Sequence, residues 1–505
     1  MEALDWLVIG VFFLALIGII VWVVRQKQND SADYFLGGRD ATWLAIGASI
    51  FASNIGSEHL IGLAGAGASS GMAMAHWEIQ GWMILILGWV FVPFYSRSMV
   101  YTMPEFLERR YNPQSRTILS VISLVSYVLT KVAVTVYAGG LVFQQVFGIK
   151  ELWGIDFFWI AAIGLVVLTA IYTIFGGMKS VLYTSVLQTP ILLLGSLIIL
   201  VLGFKELGGW DEMMRVCGAV TVNDYGDTMT NLIRSNDDAN FPWLGALIGS
   251  AIIGFWYWCT DQFIVQRVLS GKNEKEARRG TIFGAYLKLL PVFLFLIPGM
   301  IAFALHQKYI GAGGEGFLPM LANGTANADA AFPTLVAKLL PAGVKGLVVC
   351  GILAALMSSL ASLFNSSAML FTIDFYKRFR PETPEKKLVG IGQVATVVIV
   401  ILGILWIPIM RSVGDVLYTY LQDVQSVLAP GIAAAFLLGV CWKRTSAQGG
   451  MWGLISGMVI GLTRLGAKVY YSNAGEVADS TFKYLFYDMN WLFFCGWMFL
   501  FCIIV

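Results

Sequence analysis

Apolar runs of about twenty residues recur along the whole chain and leave no room between them for a sizeable soluble domain. A helix of this length crosses the hydrocarbon core of a bilayer, which is about 30 Å thick. Hydrophobic residues make up 58% of the chain and charged residues 13%, against roughly 45–50% and 25% in soluble proteins. We therefore predict an all-α polytopic membrane protein.

The apolar runs predict thirteen membrane helices. Their approximate positions are 5–24, 41–65, 73–96, 118–147, 155–175, 181–203, 241–268, 280–305, 345–376, 388–410, 414–440, 447–466 and 489–505. Acidic residues precede the first run and no small-residue cleavage site follows it, so we interpret it as a retained span and not a signal peptide. The chain stops within an apolar run, so either the last helix is unusually terminal or the chain is shortened.

Basic residues cluster on one side of the predicted membrane. With the N-terminus outside, the inner side receives Arg25, Lys27, Arg97, Arg109, Arg110, Arg116, Lys179, Lys272, Lys275, Arg278, Arg279, Lys377, Arg378, Arg380, Lys386, Lys387, Lys443 and Arg444. The opposite side receives an acidic loop around residues 211–238. The positive-inside rule therefore favours an extracellular or periplasmic N-terminus.

Two spans have an unusual composition for simple membrane helices. Residues 47–71 are rich in Gly, Ser and Asn and carry Glu58 and His59, while 245–267 carry three glycines, an aromatic cluster and Asp261. Unwound backbone is tolerated at membrane depth where it lines a protein-enclosed cavity. The two segments are five spans apart, and an odd offset predicts halves of opposite orientation, as in inverted-repeat transporters. The alternative is that the glycines only permit close helix packing.

Ionisable residues inside spans usually line a substrate or ion path. The candidates are Glu58, His59, Glu78, Lys131, Asp261, Lys288 and Asp423. Structural pairing between helices is the alternative, and it explains Lys131, Asp261 and Glu58 better than the others. A neutral polyhydroxy ligand would be served by Asn54, His59, Glu78, Lys288 and Gln422 as polar contacts and by Trp77, Tyr257 and Trp258 as an apolar platform. Such aromatic residues also occur in interface belts.

Ser358 and Ser359 lie next to one another on a predicted span, with Ala355 one turn before. Their hydroxyls, together with carbonyls of an unwound helix, suit sodium. Serines in spans also commonly hydrogen-bond the carbonyl four residues back, which is the alternative for this pair.

Long stretches of the chain resemble the solute:sodium symporters, specifically their sodium/glucose cotransporter branch. The matching stretches are DYFLGGR (33–39), ASIFASNIGSEHLIGLAGAGA (48–68), TMPEFLERRY (102–111), YTIFGGM (172–178), FWYWCTDQFIVQRVLSGKN (255–273), YLKLLP (286–291), ALMSSLASLFNSS (355–367), FTIDFY (371–376) and FLLGVCWKR (436–444). The resemblance implies a LeuT-type five-plus-five inverted repeat with flanking helices. It divides the chain into an extra helix and cytoplasmic loop at 1–40, a first repeat and extracellular loop at 41–240, a second repeat at 241–445 and flanking helices at 446–505.

The resemblance also implies specific site residues. Sodium contacts fall on the carbonyls of Ala52, Ile55 and Ala355 and the hydroxyls of Ser358 and Ser359. Sugar contacts fall on Asn54, His59, Glu78, Trp258, Lys288 and Gln422. Tyr257 resembles the family's inner gate, and Leu63, Trp77 and Tyr418 resemble its outer lids.

Three residues depart from the family pattern. Ser185 stands where Asp is usual, and Ala361 stands where members that carry two sodium ions have Thr. The loss of both groups predicts one sodium per sugar. Gln425 stands where Thr is common and puts the identity of the substrate in doubt.

The sequence thus predicts a sodium-coupled symporter of a neutral, glucose-like or galactose-like hexose in the cell membrane. The alternatives are a myo-inositol symporter, a symporter of another solute such as an organic acid, and a sugar sensor or sodium leak. An enzymatic role has no supporting motif, because His59, His76 and His306 assemble with no nucleophile. The six cysteines form neither a disulfide framework nor a metal-binding spacing. The predicted partners are sodium, a small neutral sugar and lipid, and no nucleic acid.

Overall fold

The computed structural model describes the whole chain except residues 27–29, 57, 322–323, 414–416 and 474–477, and excludes the side chains of 129–130, 409–423 and 472–473. Within the described residues, eight helices are long and apolar enough to cross a membrane, or nine when the bent pair at 481–504 is one span. One of these, Phe157–Leu207, joins two predicted spans, and two shorter apolar helices lie at Trp43–Asn54 and Ala133–Phe147. The architecture therefore agrees with the predicted all-α fold.

The described helical segments follow the predicted order. They are Ala3–Val24, Ser31–Leu36, Trp43–Asn54, 58–70, 75–98, Met103–Arg110, 113–147, Phe157–Leu207, Trp210–Gly218, Trp243–Thr260, Gln262–Leu269, Glu274–Gly311, Ala331–Leu339, Val344–Phe379, Glu385–Val413, Leu417–Cys441, Ala447–Asn473, Thr481–Asp488 and Trp491–Ile504. A short antiparallel hairpin pairs Glu151–Leu152 with Ile155–Asp156.

The two glycine-rich spans are both broken. The first broken helix comprises Trp43–Asn54 and 58–70, and its backbone is extended at Ile55. The second broken helix comprises Trp243–Thr260 and Gln262–Leu269, and its backbone is extended at Asp261. The Asp261 carboxylate accepts a hydrogen bond from the Phe263 amide and so caps the second half. Each break therefore lies inside the segment whose composition predicted a break.

Two predicted spans, 155–175 and 181–203, form one 51-residue helical passage, Phe157–Leu207. Its backbone turns at Gly177, where φ is +51°. The carbonyl oxygen of Tyr34 approaches the place that a Cβ would take there. This glycine therefore supplies both the backbone conformation and the close approach that separate the two spans.

The helix Val344–Met369, which we call the serine helix, lies at the centre of the bundle. It is the first part of the helical passage Val344–Phe379, in whose most apolar 18-residue stretch 89% of the residues are buried. The corresponding value for Ala3–Val24, at the periphery, is 22%. The serine helix packs against Phe157–Leu207 and against the first half of the first broken helix. This placement brings its serines next to the break at Ile55.

The loop after Phe157–Leu207 contacts the C-terminal end of the first broken helix. The Met72 amide donates to the Met229 carbonyl at 2.7 Å, and Arg234 donates to the carbonyl of Ser70. Burial opposes ionisation of Asp238, but hydrogen bonds from the Phe241 amide and from other groups hold the pKa of this carboxyl below its usual value. The acidic loop therefore packs against the end of the first broken helix, and its Asp238 carboxylate pairs with Arg234 of the same loop at 3.5 Å.

Gly299→Ala is expected to destabilise the protein by about 1–3 kcal/mol, because this helix crossing has no room for a methyl group. A Cβ at Gly299 would collide with the carbonyl oxygen of Ala64 on the facing helix. Gly164→Ala is the matched control, since its Cβ would meet no atom within 4 Å. Thermal unfolding in detergent measures both, and equal stability of the two variants would contradict the crossing.

Candidate functional site

Three buried side chains from different helices, those of His59, Glu78 and Lys288, contact one another near the break in the first broken helix. The Lys288 ammonium lies 2.6 Å from Oε2 of Glu78, and Nε2 of His59 lies 3.2 Å from Oε1 of Glu78. All three are at most 4% exposed. Gly81 makes the approach possible, because a Cβ there would lie 2.9 Å from Cγ of Lys288. The cluster carries one negative and one positive charge, so its charges are matched.

One ring nitrogen of His59 contacts the ion pair of Glu78 and Lys288, and the other does not. The ammonium lies 2.8 Å from Nε2 of His59. The same nitrogen lies 3.2 Å from Oε1 of Glu78, so Nε2 is in contact with both members of the ion pair. Nδ1 has no hydrogen-bond partner among the described residues. His59 therefore offers an unused ring nitrogen.

A cavity lies beside this cluster. Its lining is Asn54, Glu58, His59, Leu63, Trp77, Glu78, Gln80, Ile253, Gly254, Tyr257, Trp258, Lys288 and Gln425. Oδ1 of Asn54 and Oε1 of Gln80 are buried without a partner among the described residues, as is Nδ1 of His59. The cavity thus presents one free ring nitrogen and two free amide oxygens.

Aromatic rings form the other part of the cavity wall. Asn54 donates from Nδ2 to the Tyr257 hydroxyl at 2.9 Å, which ties the end of the first half-helix to the second broken helix. Trp258 is buried, with the Lys288 ammonium 5.6 Å from its ring centroid. Trp77 packs edge-on against Trp491, with ring centroids 5.7 Å apart. The wall therefore offers flat apolar surface beside the polar groups.

The structure brings most of the predicted solute-site residues together. Asn54, His59, Leu63, Trp77, Glu78, Tyr257, Trp258 and Lys288 all line the one cavity. The predicted contacts Gln422 and Tyr418 lie outside the residues whose side chains are described, as does Asp423. Gln80 was missed by the sequence reasoning, although it is a polar residue inside a predicted span two positions after Glu78.

The break in the first broken helix faces the serine helix. Ser359 donates from Oγ to the Ser53 carbonyl at 2.7 Å, and the Ile55 carbonyl lies 3.4 Å away. A Cβ at Gly56 would lie 2.9 Å from Oγ of Ser359. Carbonyls at the C-terminal end of a half-helix lack intrahelical partners and suit sodium. The Ser359 hydroxyl and the Ser53 and Ile55 carbonyls thus bring three oxygens together at the break, and oxygen is the donor that sodium prefers. Ala52, Ala355 and Ser358, the other residues of the predicted sodium site, are also buried.

Ser358 also contacts a second group of hydroxyls. Its Oγ lies 3.3 Å from Oγ of Ser185 and 3.3 Å from Oγ of Ser53. Ser53 is 2.8 Å from the hydroxyl of Ser362. Ala361 contributes no hydroxyl to this region and is fully buried. The position of Ser185 is thus next to a predicted sodium contact.

Lys131 and Asp261 form a buried ion pair at the break in the second broken helix. Their charged atoms are 2.7 Å apart, and the Tyr127 hydroxyl also donates to Asp261. The ammonium lies 4.6 Å from the ring centroid of Tyr257. Lys131 and Asp261 therefore pair with one another between helices, which is the structural alternative to a role in a substrate or ion path. Glu78 and Lys288 are also paired between helices. Glu58 instead lines the cavity.

Two broken helices, a polar cavity between them and an oxygen-lined break define a secondary transporter of the LeuT-like inverted-repeat class. The sequence profile of the Sodium:solute symporter family matches residues 34–457. The chain therefore belongs to the sodium:solute symporter family.

Several curated relatives have similar sequences. Human sodium/myo-inositol cotransporter 2 is 38% identical over 479 residues, covering 92% of this chain and 70% of its own. Rat sodium/glucose cotransporter 2 is 38% identical over 512 residues, covering 97% and 75%. Zebrafish sodium/glucose cotransporter 4 is 36% identical over 511 residues, covering 98% and 76%. These relatives are sodium-coupled transporters and not enzymes.

Two solved structures show the same fold. A Na⁺-coupled sialic acid symporter in a substrate-bound outward-open state has a TM-score of 0.79 at 22% identity, covering 100% of this chain and 96% of that chain. MhsT in complex with L-phenylalanine has a TM-score of 0.56 at 11% identity, covering 95% and 99%. These structures support the fold of a multi-pass membrane protein, and membership of the sodium:solute symporter family supports sodium as the coupling ion.

Proposed function

We propose that this protein is a sodium-coupled symporter of a neutral hexose of the glucose or galactose type. The observation that carries the proposal is the set of three unpartnered polar atoms, on Asn54, His59 and Gln80, around one cavity. Sugar hydroxyls both donate and accept, so they satisfy free donors and acceptors that would otherwise be unfavourable when buried. Trp258 and Tyr257 supply flat surface for the apolar face of a sugar ring.

The charge of the cavity supports a neutral solute. Glu78 and Lys288 neutralise one another at 2.6 Å, and Glu58 also lines the cavity. An organic acid would meet these carboxylates without a free cation among the lining side chains that the structure describes. Electrostatics therefore disfavours an anionic solute.

Myo-inositol is the second candidate solute. A relative named as a sodium/myo-inositol cotransporter has 38% identity, equal to that of one named as a sodium/glucose cotransporter. Both solutes are neutral rings with several hydroxyls, so the same donors and acceptors suit both. Gln425 lines the cavity, and its amide can discriminate between hydroxyl patterns by donating to one hydroxyl and accepting from another.

A competition panel tests the proposed solute. Glucose, galactose, mannose, fructose and myo-inositol would each compete with labelled glucose for uptake into proteoliposomes under an inward sodium gradient, with potassium as the control ion. We expect glucose or galactose to compete best and potassium to support no accumulation. Best competition by myo-inositol would select the second candidate, and sugar binding without uptake would identify a sensor.

Sodium binding would link two elements that move relative to one another in the transport cycle. An ion held by the carbonyls of Ala52, Ile55 and Ala355 and the hydroxyls of Ser358 and Ser359 would join the first broken helix to the serine helix. Such an ion drives transport only if it binds one conformation more tightly than the other. Solute would then fill the cavity, with Leu63, Trp77 and Tyr418 as outer lids and Tyr257 as the inner gate.

One sodium ion per solute is proposed, because the cluster of hydroxyls from Ser53, Ser185, Ser358 and Ser362 contains no carboxylate. Ser185 supplies only a hydroxyl there, and Ala361 supplies no oxygen from its side chain. The division into repeats at 41–240 and 241–445, with flanking parts at 1–40 and 446–505, completes the proposed architecture.

An external N-terminus places Cys441 on the cytoplasmic side, and this placement predicts how the residue reacts. Cys441 is exposed at the end of Leu417–Cys441, whereas the other five cysteines are buried. A membrane-impermeant maleimide should therefore label permeabilised cells and leave intact cells unlabelled. Cys441→Ser should abolish the labelling, and labelling of the unmodified protein in intact cells would reverse the proposed orientation.

A further inference from the structure

Arg267 is a fully buried cation beside the hydroxyls of Ser49 and Ser53. It has no counter-ion among the residues that the structure describes. The side chain is 1% exposed. Its Nε lies 3.1 Å from Oγ of Ser49 and 3.2 Å from Oγ of Ser53. Its Nη2 is buried with no hydrogen-bond partner among the described residues. No carboxylate in the described part of the chain lies within ion-pair distance of this guanidinium.

A charge in this position needs compensation. Guanidinium groups remain protonated in proteins, so Arg267 cannot become neutral by losing a proton. Burial of an unpaired charge is strongly unfavourable. Asp261, on the same broken helix, is already held by Lys131 at 2.7 Å and by the Tyr127 hydroxyl. The Phe263 ring, 4.8 Å from the guanidinium carbon, supplies only a weak partial compensation.

The groups around Arg267 suit an anion better than a cation. The neighbouring polar side chains carry hydroxyls, which donate to an anion once they rotate, and the guanidinium would repel a cation. Several of the contacts between these hydroxyls are long for O–H···O hydrogen bonds, at 3.3–3.4 Å. Ser185 now donates to the Val181 carbonyl at 2.6 Å, so turning towards an anion exchanges one hydrogen bond for another.

We propose that Arg267, with the hydroxyls of Ser49, Ser53, Ser185 and Ser358, binds a chloride ion that neutralises the guanidinium next to the sodium site. The same short segment connects the two sites, because the Ser53 hydroxyl faces Arg267 while its carbonyl accepts from Ser359. Chloride removes the repulsion between Arg267 and sodium. Chloride therefore raises the affinity for sodium.

The test separates chloride binding from transport. Purified protein is heated in detergent at constant sodium while gluconate is replaced by chloride, and sodium-dependent uptake is measured in the same two anions. We expect a saturable rise in the melting temperature with chloride. We also expect the sodium concentration for half-maximal uptake to be about tenfold higher in gluconate, within the usual range for coupling between sites.

Ser185→Asp supplies an internal counter-ion to Arg267 and should make both measurements independent of chloride. Ser185→Asn has a similar shape without the charge and should remain chloride-dependent. Ser49→Asp offers a second position for the carboxylate if Ser185→Asp does not fold, since Ser49 is already in contact with Arg267.

Two results would overturn the chloride site. One is a melting temperature and a sodium affinity that are the same in chloride and gluconate. The other is chloride dependence that persists in a folded aspartate variant. The uptake measurement rests on the proposed function, but the melting measurement does not. A chloride-dependent melting temperature without sodium-driven uptake would therefore leave the anion site standing and reject the symporter.

Discussion

Glu78→Gln is expected to reduce sodium-driven solute uptake by about a hundredfold or more. Glu78 is 1% exposed and is the carboxylate that pairs with Lys288 in the cavity wall. Removal of one partner from a buried ion pair leaves the other charge uncompensated and typically lowers stability by about 3–5 kcal/mol. The substitution also reverses part of the hydrogen-bonding pattern, because an amide nitrogen donates where a carboxylate oxygen accepted.

A double variant separates binding from folding. Glu78→Gln combined with Lys288→Met removes both charges, and the melting temperature should recover much of what the single variant loses. Uptake should stay low, because both proposed polar contacts to the solute are still missing. Uptake of the folded single variant at the level of the unmodified protein would remove Glu78 from the solute site.

Ser359→Ala is expected to raise the sodium concentration for half-maximal uptake by about tenfold or more. Ser359 is the hydroxyl that reaches the break, with the Ser53 carbonyl at 2.7 Å and the Ile55 carbonyl at 3.4 Å. A hydrogen bond or contact to a charged group is worth about 1.5–3 kcal/mol, and each 1.4 kcal/mol is a factor of ten in affinity. Sodium titration of uptake into proteoliposomes measures the change.

Ser367→Ala is the matched control for this substitution. Ser367 lies two turns further along the serine helix, is fully buried, and its hydroxyl has no partner among the described residues. Its removal should leave the sodium dependence unchanged. An equal shift in both variants would mean that the helix, and not the hydroxyl of Ser359, is responsible.

The breaks in the two helices could be predicted from sequence because their cause is local. Clusters of Gly, Ser and Asn at 47–71 and glycines at 245–267 weaken a helix wherever they occur. The partner of Glu78 could not be found in this way. Lys288 is far from it in sequence, and only the packing of separate helices determines that their charged atoms lie 2.6 Å apart.

Arg267 shows a second limit of sequence reasoning. It lies near the end of a predicted span, where a basic residue normally reaches the membrane surface. The break at Asp261 redirects the following half-helix, and Arg267 is buried against Ser49 and Ser53 instead. Gln80 was missed for a related reason, since a single amide within a span gives no periodic signal.

The measurement that tests sodium-coupled symport most directly is the solute gradient that balances a known sodium gradient. One sodium ion moving through 100 mV releases about 2.3 kcal/mol, and a tenfold sodium ratio adds about 1.4 kcal/mol. Proteoliposomes clamped at zero potential isolate the second contribution. With a tenfold sodium ratio, net solute flux should vanish at about a tenfold solute ratio. Balance near a hundredfold would indicate two sodium ions, and the absence of any sodium-driven accumulation would contradict symport itself.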